Sequence, residues 1–98
     1  MKKNVLSQIQ EKRKRVLEIV ALNGCKNPMV FGSISRGEET KESDLDIMVE
    51  VGEKTTLFDL AAIALDLEEL FGIPIDVVNQ TSIRKEFYQS VMYDARKV

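Results

Sequence analysis

The stretch "FGSISRGEETKESDLDIMVEV", Phe31 to Val51, decides how this 98-residue chain is read. It opens like a phosphate loop, with Gly32 and Gly37 separated by four residues. In a P-loop the second glycine is followed by a lysine that reaches the β- and γ-phosphates. Here Glu38 and Glu39 follow it, and two anions at that place would repel a triphosphate. The GxGxxG spacing of a dinucleotide fingerprint is also missing. What remains is a corner, Gly32-Ser33, and then, after ten residues, Asp44 and Asp46 at the head of an apolar run.

The two aspartates alternate around Leu45, so on a strand their side chains leave the same face with Cα atoms ~6.6 Å apart. Asp76 stands inside a second short apolar run, "PIDVV". If the two runs pair in parallel, three carboxylates share one small volume. Mutual repulsion would then raise their pKa values and cost stability, a conflict that a hard divalent cation removes. An all-oxygen donor set points to Mg²⁺ or Mn²⁺ rather than zinc. Gly32 ends a strand and Ser33 begins about one helical turn, so backbone N–H groups and the Ser33 hydroxyl can meet phosphate oxygens there. Arg36 or Lys41 would neutralise the outer phosphates.

Composition removes competing chemistries. There is no histidine, which excludes Ser-His and Cys-His nucleophile pairs and His-ligated zinc. Cys25 is the only cysteine, so internal disulfides and CxxC redox chemistry are excluded. The formal charge is −2, too small for a global field that gathers nucleic acid. The start of the chain lacks the apolar run of a secretory signal, and no run approaches the ~18 apolar residues of a membrane span. The reading is a cytoplasmic protein with one domain over residues 1–98 that contacts neither membrane nor nucleic acid.

Periodicity supplies the frame. Ile9, Val16, Leu17, Ile19 and Val20 predict a helix from Ser7 to about Asn23, capped by Gly24, with the "EKRKR" run on its solvated face. Asn27-Pro28 should break the chain before a short strand from Met29 to Phe31. "DLDIMVEV" is the second strand. Leu57, Leu60, Ala61, Ala64, Leu67 and Phe71 mark one stripe of a helix from Thr55 to Phe71, between a threonine N-cap and Gly72. Pro74 to Val78 is the third strand, parallel to the second across a right-handed crossover. A last helix, about Ile83 to Lys97, should turn Ile83, Phe87, Tyr88, Val91, Met92 and Ala95 toward the sheet. The expected fold is α/β (α+β), in the order α-β-α-β-α-β-α, with a mixed sheet of three strands or more.

Gly32-Ser33, the ten-residue gap, Asp44-Leu45-Asp46 and the later strand aspartate Asp76 resemble the DNA polymerase beta-type nucleotidyltransferase superfamily. The likeness is strongest to the minimal nucleotidyltransferases of prokaryotes and spans about four-fifths of the chain. It implies Mg²⁺-dependent transfer of a nucleoside monophosphate from an NTP, AMP from ATP first, to an acceptor hydroxyl. It also implies that Asp44, Asp46 and Asp76 are catalytic and hold the metal ions, while Gly32, Ser33 and Arg36 bind the nucleotide. Many members are similar to antitoxins paired with a HEPN-type toxin, whose tyrosine is the acceptor. The alternative is a non-catalytic nucleotide-binding subunit that caps a partner protein.

Overall fold

Leu45, Ile47, Met48 and Val49 are all fully buried, and a strand with such a run must be flanked on both sides and covered on both faces. The computed structural model describes residues 4–32, 34–37 and 44–98. Over these the elements run α1 (Val5–Glu11), α2 (Arg13–Leu22), β1 (Cys25–Phe31), β2 (Leu45–Val51), α3 (Leu57–Phe71), β3 (Ile75–Asn79), a single 3₁₀ turn (Gln80–Ser82), α4 (Lys85–Asp94) and β4 (Arg96–Lys97). The sheet order is β3-β2-β1-β4. β2 is parallel to β3 and antiparallel to β1, and β1 is antiparallel to β4. The fold is therefore α+β with a mixed four-stranded sheet.

Leu45, Ile47 and Val49 point to one face and join Val16, Ile19 and Val20 of α2 and Ile63 and Leu67 of α3 in the core. Val30 of β1 and Ile75 of β3 complete it. The alternation puts Asp46 and Met48 on the opposite face, so one strand carries both the core and the polar site.

α3 follows the sequence closely. Thr56 caps it and forms a reciprocal capping box with Asp59, and Gly72 ends it in the left-handed region at φ 72°. The buried stripe is displaced, however: Ile63 and Leu67 are enclosed, while Leu57 is 82% and Phe58 86% exposed. The first turn of α3 thus leaves two large apolar side chains uncovered among the described residues.

Four other expectations are corrected. The first helix is two, because the chain kinks at Lys12 (φ −102°, ψ 18°). The kink aims the Lys12 ammonium at the Leu70 carbonyl at the C-terminal end of α3, 3.1 Å away, and 5.5 Å above the Phe71 ring. β1 begins at Cys25, before Pro28; Asn27 takes φ 52° and the register slips between Lys26 and Met29, so a bulge absorbs the proline. Ile34 to Gly37 form a turn closed by the Gly37 N–H on the Ile34 carbonyl at 3.1 Å, in place of a short helix. The last helix stops at Asp94 and buries no residue; Arg96 and Lys97 instead add a short strand beside β1. Helical periodicity could not reveal that this segment would end in a ladder with β1.

Lys12 links the α1–α2 kink to the end of α3. Lys12→Met, which keeps the stem and deletes the charge, should lower stability by about 1 kcal/mol in urea titration with an unchanged m-value.

Candidate functional site

Three strand ends meet at one edge of the sheet. Phe31, the last residue of β1, lies opposite Asp46 in the antiparallel register, and Asp46 lies beside Asp76 in the parallel one. The Leu45 N–H donates to the Pro74 carbonyl at 3.1 Å, which aligns the heads of β2 and β3. The Ile75 N–H donates to the Glu68 carboxylate at 3.1 Å, fixing the start of β3 to α3. Registered neighbours in a parallel pair face the same way, so Asp46 and Asp76 share a face, and Asp44, two residues before Asp46, points that way in extended chain.

Gly32 follows Phe31 directly and has φ +80°. A Cβ at this position would lie 2.5 Å from Asp46 Oδ2. The left-handed backbone favours glycine here, and any side chain would also make the Asp46 carboxylate give way. Asp46 is half-buried, whereas Asp44 and Asp76 are exposed. Burial pushes the Asp46 carboxyl above its ordinary 3.8, with smaller upward contributions from the negative charges of Asp76 and Asp44. Asp46 thus feels both neighbouring carboxylates. Among the described residues they do not form a closed ligand set: no three acidic, cysteine or histidine side chains converge to hold a metal ion. Asp44 and Asp76 are exposed, so their side-chain torsions have room to turn toward Asp46.

The donor set suits a hard divalent cation. It is all oxygen and anionic, and Asp46 is raised by burial and by two neighbouring negative charges that a cation would offset. Arg36 lies four residues beyond Gly32 and forms an ion pair at 3.0 Å with Asp94 at the end of α4. Ser33 and Lys41 lie outside the described residues. A cleft of about 340 Å³ lined by Glu50, Val51, Asn79, Gln80, Thr81 and Tyr88 opens at the other ends of β2 and β3, and none of the three aspartates lines it.

Sequence reasoning missed three residues around this corner. Ser35 is buried and its hydroxyl donates to the Gly32 carbonyl at 2.7 Å. Arg96 donates to the Ser35 carbonyl at 2.7 Å, and Asp94 holds Arg36. Ser35 carried a local signal, a hydroxyl three residues after a turn glycine. Asp94 and Arg96 carried none, since their contacts span 58 and 61 residues.

The raised Asp46 sets a pH dependence. A carboxyl whose folded pKa exceeds its unfolded one binds its proton more tightly when folded, so its contribution favours folding below pH 3.8 and is lost as pH rises through the folded value. At neutral pH without divalent ions, Asp46→Asn should therefore raise Tm by a few degrees, and the gain should shrink toward pH 4 in thermal melts. Gly32→Ala should cost about 1–3 kcal/mol through backbone strain and displacement of the Asp46 carboxylate.

The nucleotidyltransferase domain family matches residues 4–98 of this chain. A Methanocaldococcus jannaschii protein named for an inferred protein adenylyltransferase activity is 34% identical over 87 residues, covering 89% of this chain and 94% of that one. The solved structure of a protein assigned as a minimal nucleotidyltransferase agrees with a TM-score of 0.84 at 34% identity and covers 95% of each chain. A toxin-antitoxin complex crystallised with AMP-PNP contains the same fold, with a TM-score of 0.71 at 21% identity over 86% of this chain and 69% of that one. No helix among the described residues is long and apolar enough to cross a membrane. The glycine corner and the carboxylate pair beside it therefore lie in a chain that belongs to the nucleotidyltransferase domain family and is a nucleotidyltransferase of the minimal kind.

Proposed function

We propose that this chain transfers AMP from ATP to a hydroxyl of a partner protein, as the antitoxin of a toxin-antitoxin pair in the cytoplasm. A tyrosine of a HEPN-type toxin is the acceptor in this reading. The observation that carries the catalytic part is the registered Asp46–Asp76 pair beside a glycine that only a missing Cβ allows. The protein-modifying part is supported by the relative named for adenylyltransferase activity, and the pairing with a toxin by the fold shared with the toxin-antitoxin complex.

Each residue has a role that follows from its place. The backbone from Gly32 onward, with the Ser33 hydroxyl, binds the β- and γ-phosphates, and Arg36 neutralises part of their charge. Asp44, Asp46 and Asp76 would hold Mg²⁺, two ions in this reading, and the metal would screen the triphosphate and acidify the attacking hydroxyl. Asp76, exposed at the head of β3, accepts the proton of the acceptor hydroxyl. The acceptor oxygen bonds to the α-phosphorus, the bond between the α-phosphorus and its bridging oxygen breaks, and pyrophosphate leaves. Asp46, pinned between Gly32 and Asp76, keeps phosphate loop and carboxylates in fixed relation.

A second reading, a nucleotide-binding subunit that caps its partner without turnover, is favoured by one observation: the carboxylates do not form a closed ligand set as they are placed among the described residues. Incubation with labelled ATP, Mg²⁺ and a HEPN-type partner separates the two. Label should appear on the partner and fall by at least 100-fold in Asp46→Asn and in Asp76→Asn. A complex that forms without label, and survives both substitutions, establishes the capping role instead. In the same series Mg²⁺ with ATP should raise the Tm of the native chain and leave that of Asp46→Asn nearly unmoved.

A further inference from the structure

The three residues that hold the glycine corner from behind form a connected set. The Ser35 hydroxyl, 1% exposed, donates to the Gly32 carbonyl at 2.7 Å. Arg96 Nε donates to the Ser35 carbonyl at 2.7 Å. Arg36 pairs with Asp94 at 3.0 Å. Two of these contacts come from the last five residues of the chain, and that segment is itself anchored. Arg96 pairs with Val30 and Lys97 with Met29 in the β1–β4 ladder, the Val98 N–H donates to the Pro28 carbonyl at 3.1 Å, and Arg13 donates to the Val98 carbonyl at 3.2 Å.

We infer that Ser35 and Arg96 are positioning residues for phosphate binding, and that the C-terminal strand is the fixed support against which the glycine corner is set. The inference rests on the nucleotide-binding reading above and extends it to residues outside the glycine and aspartate motif. A peptide unit is planar and trans, so tying down a carbonyl oxygen fixes the orientation of the whole unit. Ser35 does this for the unit that begins at Gly32, and Arg96 for the unit that joins Ser35 to Arg36. Both carbonyls are thereby turned inward, toward Ser35 and Arg96, and away from an incoming anion. Gly32 has φ +80° and no side chain to hold it in place, so its conformation depends on such bonds. Asp94 adds the lateral restraint on Arg36. Carbonyls of Gly32 and Ser35 already held in place lower the ordering cost of binding at this corner.

The test is equilibrium binding of Mg²⁺ with a non-hydrolysable ATP analogue to the full chain, by calorimetry well below Tm, for the native protein and Ser35→Ala, Arg96→Ala and Arg96→Lys. No acceptor is needed. Ser35→Ala and Arg96→Ala should each weaken binding by about tenfold or more while the protein stays folded. Arg96→Lys, which retains a donor on a long stem, should recover part of the loss. A residue that served stability alone would lower Tm and leave the affinity of the folded protein at the native value, and that result in both alanine variants overturns the inference while leaving the nucleotide reading intact. Failure of the native chain to bind overturns both. If Ser35→Ala does not fold, the Arg96 pair decides the matter by itself.

Discussion

The rest of the structure depends on the closeness of one carboxylate to one stretch of backbone. Asp46 Oδ2 stands 2.5 Å from where a Cβ on Gly32 would lie, so the end of β1 and the head of β2 approach closely at this corner. The parallel register then brings Asp76 alongside. Burial and two neighbouring negative charges all raise Asp46, so the protein keeps a group whose ionised form is unfavourable in the fold. Such a group is a cost in stability, of the kind found where function and stability compete.

The strand that carries this group is also the centre of the core. Leu45, Ile47 and Val49 fix β2 from below, so Asp46 cannot move without unpacking residues that have no exposed surface. That coupling explains how a chain of this size presents a charged cluster without losing definition around it. The periphery is treated differently: α4 buries nothing, and Phe58 and Leu57 project from the start of α3. Close packing is concentrated beneath the strand that carries Asp46, and exposed apolar side chains lie at the start of α3.

The C-terminal segment has the opposite origin. Its contacts to the glycine corner are few, polar and long in sequence separation, and each replaces a freedom that glycine would otherwise retain. Ladder bonds to β1 hold Arg96 in place, so a two-residue strand serves the corner more than it serves the sheet.

Much of this was legible in the amino-acid sequence, for local reasons. The Gly32 corner, the Asp44–Asp46 alternation, the Thr56 cap, the Gly72 stop and the parallel pairing of β2 with β3 all follow from residue chemistry within a few positions or from the crossover rule. What only the tertiary structure decided is non-local. The kink at Lys12 turns its ammonium to the end of α3, Leu57 is left exposed although it lies on the apolar stripe, and the bulge at Asn27-Pro28 lies in the register with β2. The last helix shows the difference most clearly: its spacing of apolar residues is real, but whether they are buried depends on the sheet face and on β4, which a pattern within ten residues cannot encode. Sequence specified the glycine corner and the alternating aspartates, and contacts spanning some sixty residues specified which side chains bind the turn after that corner.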